Sequence, residues 1–206
     1  MSGVLGHVSS LHFDTMSELL WVGSASGQLT SHTGALPTLP RYTSLAAHGV
    51  PKQPRHVRGI LSDDKFIISL SEGRVCASQR QGLGRWSMQI EDHAPGVALA
   101  GLCASPQSAS SDIIVGGAAP NSHDALFALH SISGRVVRRA VSDGTVTQLR
   151  KGSRYLCVGT EQGTIQLHDP RSLRAEHKLP AHHGGLIDLQ TDGPVSYTHL
   201  TLPTKA

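Results

Sequence analysis

The sequence predicts an all-β fold built from a repeated strand–turn–strand unit, and three observations support this. The first is the stretch Arg154 to Gly185, in which short apolar runs alternate with turns. Its opening run, Tyr155 to Val158, is too short for a helix and rich in strand formers. A turn ending at Gly163 leads to a second strand, and Asp169-Pro170-Arg171-Ser172 stops that strand before a third. Three antiparallel strands in so short a stretch are most of one propeller blade.

The second observation is that the turn glycine of this unit recurs. Gly27, Gly73 and Gly163 each follow a short apolar run, and they are separated by 46 and 90 residues. The skipped copy is expected at Gly116 to Pro120, which lies between two apolar runs. This spacing matches the roughly 40–45 residues of WD40-type repeats. We therefore predict a WD40-type β-propeller in which these three glycines occupy equivalent hairpin turns.

The third observation is length. Four repeats of this size use almost all of the 206 residues, whereas propellers have typically about 4–8 blades. The prediction is an incomplete propeller over residues 1–193, with blades at about 6–48, 55–92, 96–141 and 145–180. The start of a fifth blade is expected at 182–191, with Leu186 to Leu189 as its first strand.

Each blade is assigned strands from its apolar runs. In blade two, Phe66 to Leu70 is continuously apolar apart from one serine, as expected for a strand buried on both faces. Pro51 to Pro54 is expected to be a linker, and 105–111 a small polar loop. The other predicted strands are Val8–Phe13, Leu19–Gly23, Gln28–His32, Arg41–Leu45, Val57–Leu61, Arg74–Ser78, Trp86–Ile90, Val97–Cys103, Ile113–Val115, Leu126–Leu129, Arg135–Val137, Val146–Leu149 and Ala175–Leu179.

Composition excludes several classes of function. A formal net charge of +3 is too weak to indicate a nucleic-acid surface by itself. Cys76, Cys103 and Cys157 share no metal-ligand spacing and lie in apolar runs, which predicts reduced core thiols in an intracellular protein. Neither a membrane span nor a signal peptide is recognisable, so we expect a cytoplasmic protein.

No catalytic, cofactor-binding or metal-binding residue is predicted. The sequence has no phosphate-binding glycine loop and no nucleophile elbow. His182 and His183 could bind a metal, but beside glycines at a blade entry they are more typical of an ordered turn. Asp63-Asp64 could form a cation site or a carboxylate pair, but favours a solvated turn. Asp169 is interpreted as a turn acceptor rather than a catalytic acid.

Several segments resemble one family. They are HVSSLHFDTMSELLWVGSASGQLTSH, RYTSLAAH, VRGILSDDKFIISLSEGRVCASQRQGLGRW and GTEQGTIQLHDPRSLRAEHKLPAHHGGLIDLQ. Together they resemble the amino-terminal propeller of the fungal-like catalytic subunits of the poly(A)-nuclease (PAN) deadenylation complex. The resemblance covers about Gly6 to Gly193 and is most specific in LLWVGSASG and DPRS.

The resemblance implies a scaffold role. In that family the propeller precedes a linker that binds the adaptor subunit, an inert ubiquitin-hydrolase-like domain and a 3′–5′ exoribonuclease domain. The nuclease, which uses divalent metal such as Mg²⁺, shortens mRNA poly(A) tails in the cytoplasm, including P-bodies. None of these later segments is recognisable here, so no catalytic residue carries over. The implied partners are the adaptor subunit and poly(A) ribonucleoprotein.

Two other functions stay open from the residues alone. One is a WD40 adaptor of an unrelated pathway, such as ubiquitin ligation or trafficking. The other is a propeller enzyme, which would need acidic or histidine residues at matched positions of successive inner strands. Val8–Phe13, Val57–Leu61, Ala98–Leu102 and Val146–Leu149 share no such position.

The last residues differ in character. The stretch 194–206, beginning Pro194-Val195-Ser196-Tyr197, departs from the family and resembles a translated transposase-adapter sequence. Its composition would also suit a strand of a fifth blade, because Val195, Tyr197, Thr198 and Leu200 are good strand formers. We expect a non-native tail.

Overall fold

In a computed structural model of the chain, the described residues form four consecutive four-stranded antiparallel sheets. The described residues are 7–33, 41–46, 49–50, 53–54, 56–80, 84–104, 112–119, 124–186 and 188–191. Each sheet is a meander in which every strand pairs with the next along the chain. The predicted all-β propeller architecture is therefore confirmed.

The strand bounds follow the apolar runs of the sequence. Blade one has β1 (Val8–Asp14), β2 (Leu19–Ser24), β3 (Gln28–Thr33) and β4 (Arg41–Ala46). A two-stranded hairpin follows, β5 (Gly49–Val50) and β6 (Gln53–Pro54). Blade two has β7 (Gly59–Ser62), β8 (Phe66–Leu70), β9 (Arg74–Gln79) and β10 (Gly84–Gln89), and a 3₁₀ turn, Ile90–Asp92, leads out of it. Blade three has β11 (Ala98–Ala104), β12 (Asp112–Ala118), β13 (Asp124–His130) and β14 (Val136–Val141), and blade four has β15 (Val146–Lys151), β16 (Leu156–Thr160), β17 (Thr164–His168) and β18 (Ala175–Pro180).

The predicted turn glycines lie between the second and third strands of blades one, two and four. Gly27 and Gly163 have φ values of +82° and +77°, and each donates its backbone N–H to the carbonyl three residues earlier. These angles lie in the left-handed region, which favours glycine. The turn at Gly73 is equivalent in position but one residue shorter, because Ser71 already pairs with Arg74. Gly73 has no positive φ.

The apolar core lies between the blades. The largest cluster joins blades two and three through side chains such as Ile68, Leu70, Val115 and Phe127. A second cluster joins blades three and four, and Trp21, Leu29 and Ile67 join blades one and two. Each sheet therefore buries its faces only by stacking on its neighbours, as the repeat prediction required.

One inter-blade contact recurs with nearly the same geometry. Ser9 Oγ donates to the carbonyls of Gly23 (3.2 Å) and Val57 (2.8 Å), which joins β1 to the entry of blade two. In blade four, Thr147 Oγ1 donates to the carbonyls of Gly159 (3.3 Å) and Leu186 (2.8 Å). The backbone N–H groups of Val57 and Leu186 donate to Ser24 and Thr160, which are themselves equivalent residues. Leu186 thus docks on blade four as Val57 docks on blade one.

Three expectations need correction. The predicted strand Leu186–Leu189 is not formed in the described residues, which supply no further strand to pair with it. Instead, Leu186 and Leu189 pack on Ile165 and Leu167. Gly116 and Gly117 are not a turn but lie inside β12, because they pair with β11 across a bulge where a side chain at Gly117 would meet the Ala98 carbonyl. The proline-bounded segment before blade two is not a plain linker, since it contains β5 and β6.

The tail 194–206 and the predicted loop at 105–111 lie outside the described residues. Among the described ranges there is no helix long and apolar enough to cross a membrane.

Candidate interaction surfaces

The meander topology places the loops on two rims. Because neighbouring strands run antiparallel, the loops after the first and third strands of a blade share one rim. The second-to-third-strand turns and the connections between blades share the opposite rim. Asp63 and Asp169 therefore lie on the first rim, whereas Gly163 and His182 lie on the second.

Arg80 links blades one and two on the first rim. Its guanidinium pairs with the carboxylate of Asp14, whose side chain is 1% exposed, and also bonds Ser17 Oγ (3.0 Å) and the Asp63 carbonyl. Burial by itself would raise the pKa of Asp14. The hydrogen bonds from Arg80, Ser17 and the Met16 N–H outweigh burial and, with the Arg80 charge, lower that pKa to about 2.

Two arginines of β14 link blade three to both neighbours. Arg138 pairs with Asp112 and donates to the carbonyl of Arg171 in blade four. Arg139 Nη1 donates to the carbonyl of His93, which follows blade two, at 3.0 Å. Adjacent strand residues point to opposite faces, so these consecutive arginines reach opposite neighbours.

Blade four contains a buried polar network on its blade-three side. Gln166 Nε2 donates to the Asp143 carbonyl (2.8 Å), and His168 Nε2 lies 3.0 Å from Gln166 Oε1. His168 Nδ1 lies 2.8 Å from the Leu173 carbonyl, so it donates there. Burial lowers the pKa of His168, and the bond to Leu173 opposes this shift. The network fixes the turn that carries Leu173, which has a φ of +57°.

The residues weighed as functional candidates form turns. Asp63 Oδ1 accepts the backbone N–H groups of Lys65 (2.7 Å) and Phe66 (2.6 Å). Asp169 accepts from the backbone of Arg171 and Ser172 and from Ser172 Oγ, and these bonds, with that from Arg171 first, lower its pKa. His182 donates its backbone N–H to the Gly163 carbonyl. Within the described ranges, no three His, Cys, Asp or Glu side chains are placed to hold a metal ion together.

The three cysteines are thiols rather than disulfides, with Cys76 and Cys103 buried and Cys157 half-buried. Burial raises the pKa of Cys76 to about 11 and that of Cys103 to about 12. It also raises the pKa of Cys157. A thiolate is the reactive form, so all three cysteines are mostly protonated and weakly reactive at neutral pH.

Two surface features are open to solvent. The face of blade one that points away from blade two carries Leu11 and Phe13, which are 62% and 53% exposed. A cleft of about 610 Å³ separates the outer strands β10 and β14 of blades two and three. Trp86 anchors it, because Trp86 Nε1 donates to the Ser131 carbonyl at 2.7 Å and the ring packs beneath Gly134.

The comparisons decide the family. The sequence profile described as PAN2 N-terminal matches residues 2–198. The chain belongs to the PAN2 N-terminal family. This result confirms the resemblance read from the residues, and the match extends five residues beyond Gly193 into the stretch expected to be non-native.

Curated relatives agree with the profile. The chain is 34% identical over 182 residues to the PAN2–PAN3 deadenylation complex catalytic subunit of Aspergillus oryzae, covering 88% of this chain and 14% of that protein. It is 30% identical over 187 residues to the same subunit of Schizosaccharomyces pombe, covering 90% of this chain and 16% of that one. The chain therefore spans about one-seventh of the relatives it matches.

A solved structure agrees with the fold. The Neurospora crassa Pan2 WD40 domain superposes with a TM-score of 0.76 at 26% identity, covering 96% of this chain and 59% of that one. The WD40 domain of Doa1 superposes with a TM-score of 0.66 at 14% identity, over 85% of this chain and 55% of that one, which supports the fold alone.

The arginine links between blades were missed by sequence reasoning. In the sequence, Arg80 comes directly after a strand, where a charged residue is usually solvated, and its partner Asp14 is 66 positions earlier. No spacing rule connects the two. Arg138 and Arg139 carry a weak signal, since two adjacent arginines in an apolar outer strand put a charge on each face of that strand.

Proposed function

We propose that this propeller is a partner-binding scaffold of a cytoplasmic poly(A)-specific 3′–5′ exoribonuclease subunit that shortens mRNA poly(A) tails. The observation that carries the proposal is the 30–34% identity to the catalytic subunits of PAN2–PAN3 deadenylation complexes over nearly all of this chain. The coarser statement, membership of the PAN2 N-terminal family, is already established above.

The scaffold role is supported by the ion pairs and hydrogen bonds that four aspartates form within the fold. Asp14 and Asp112 are committed to arginine links, and Asp63 and Asp169 to turns. A phosphodiester hydrolase of the exonuclease type needs carboxylates free to hold one or two cations. In the proposal, those carboxylates and their metal, such as Mg²⁺, belong to a nuclease domain elsewhere in the longer protein.

The proposed partners are the adaptor subunit and poly(A) ribonucleoprotein, both engaged by the longer protein.

The face of blade one that carries Leu11 and Phe13 is exposed, whereas in a closed propeller each sheet is covered on both faces. We propose that further blades of the longer protein cover it. Leu186, docked like Val57, then marks the entry to the next blade.

The test compares the full-length protein with a form lacking residues 7–191. Both are incubated with naked adenylate-tailed RNA and with the same RNA coated by poly(A)-binding protein. The scaffold proposal predicts equal shortening of naked RNA and slower shortening of the coated RNA by the deleted form. Loss of activity on both substrates to the same extent would contradict it, provided that the deleted form remains folded by circular dichroism.

A further inference from the structure

The cleft between β10 and β14 is a feature of the described surface that the proposed function does not use. Its volume of about 610 Å³ falls within the roughly 300–1,000 Å³ of ligand sites. Its walls are the outermost strands of two sheets, and each has an edge that pairs with no other strand in the described part of the chain. An edge of this kind accepts an extended peptide.

Two of the charged residues that line the cleft are arginines without a carboxylate partner among the residues that the structure describes. Arg135 and Arg139 both line it and are both exposed. Arg139 donates one hydrogen bond to the His93 carbonyl, and neither guanidinium forms an ion pair with any described residue. This differs from Arg80 and Arg138, which are each matched to a carboxylate.

The spacing of the two arginines selects an extended ligand. They are four residues apart in sequence, with Arg135 directly before β14 and Arg139 within it. Their Cα atoms are therefore at most about 13 Å apart at the usual rise of ~3.3 Å per residue, and the bulge at Val137 shortens this distance. Two acidic residues four apart in an extended peptide can span it. Met88 and Val136 also line the cleft and supply an apolar surface that suits one aliphatic side chain.

Asp92 limits how acidic the ligand can be. It lines the cleft beside His93, at the end where Arg139 is anchored. A continuous acidic tract would place a carboxylate against it, and like charges at close range repel. The cleft therefore favours two separated acids over a run of acids.

We propose that this cleft binds an extended peptide of a protein partner that carries two carboxylates four residues apart with an aliphatic residue midway. Each carboxylate accepts hydrogen bonds from one guanidinium, and the aliphatic side chain lies over Met88 and Val136. The proposal names a partner chemistry for the scaffold described above and rests on that role for its biological meaning. Its test uses neither RNA shortening nor the PAN partners, so the two can fail separately.

The experiment titrates the 206-residue chain into fluorescein-labelled seven-residue peptides and follows anisotropy. The first peptide has glutamates four apart and a central leucine, the second has the same residues with the glutamates adjacent, and the third has glutamines. We expect the first to bind about fivefold more tightly than the second, which can form only one of the two ion pairs, and about tenfold more tightly than the third, which can form neither.

Substitutions locate the site. Arg135→Gln and Arg139→Gln should each weaken the first peptide about threefold to fivefold, while Arg174→Gln, at an exposed position of blade four, should not. Arg139→Lys keeps the charge and should restore part of the affinity, which separates ligand binding from loss of the His93 contact. Equal binding of the first two peptides overturns the proposal. So does an unchanged affinity in both arginine variants, or displacement of the peptide by equimolar oligoadenylate, which would make the cleft a nucleic-acid site.

Discussion

The Arg80–Asp14 link makes a sharp prediction about stability. Arg80→Gln removes the only cation paired with Asp14 among the described residues and leaves a carboxylate whose side chain is 1% exposed. Breaking such a pair costs about 3–5 kcal/mol. Ser17 and the Met16 N–H still bond the carboxylate, so we expect the lower end, about 3 kcal/mol. The lowered pKa of Asp14, about 2, agrees in direction, since Arg80 contributes to it together with Ser17 and the Met16 N–H.

Urea unfolding at pH 7 measures the difference, with Arg58→Gln as the matched control. Arg58 pairs with Glu72 at 3.2 Å, but both side chains are well exposed, so its loss should cost less than about 1 kcal/mol. Because the folded pKa of Asp14 is depressed, its stabilisation is present above pH 3.8 and is lost as the pH falls towards 2. Equal losses for the Arg80 and Arg58 variants would refute the argument.

The other predictions concern single groups. Gly163→Ala should destabilise the chain by about 2 kcal/mol or more, because φ is +77° and the new Cβ would collide with the carbonyls of His182 and Gly184. Gly184→Ala is the control, since a Cβ there meets nothing within 4 Å. Urea unfolding measures the free energy of unfolding of both variants. Burial lowers the pKa values of His12 and His168 below 6.5, so the free energy of unfolding should be steady above pH 6.5 and fall as the pH drops below it, and a rise would contradict this. Cys103 should be the last thiol to react with a disulfide reagent at pH 8, as read by mass spectrometry, and labelling of Cys103 first would contradict its burial.

Local pattern was sufficient to predict the blades. Phe66–Leu70 and Thr164–His168 are strands at the positions predicted, because apolar runs bounded by turn residues leave few alternatives. The turn predicted at Gly116 and Gly117 was wrong, because a pair of glycines is typical both of a turn and of a close approach between two strands. Here β11 comes so near that only glycine fits at position 117.

Contacts between blades could not be predicted from the sequence. Whether Leu186 forms a strand depends on a partner strand, whereas its docking on Thr147 and Thr160 depends only on the blade already present. The cleft likewise lies between two different sheets, with lining residues from both β10 and β14. Arg135 carries no local pattern that distinguishes it from a solvated residue, and the weak signal of Arg139 beside Arg138 does not indicate a cleft.

The most direct test of the central claim, a propeller that scaffolds a deadenylase without hydrolysing RNA itself, is an activity measurement on this chain alone. The purified 206-residue protein is incubated with adenylate-tailed RNA and magnesium, beside a full-length relative as positive control and a reaction without protein. We expect tail shortening by the full-length relative and none above the protein-free reaction for this chain. Shortening that follows the chain through purification and changes when its own carboxylates are substituted would contradict it.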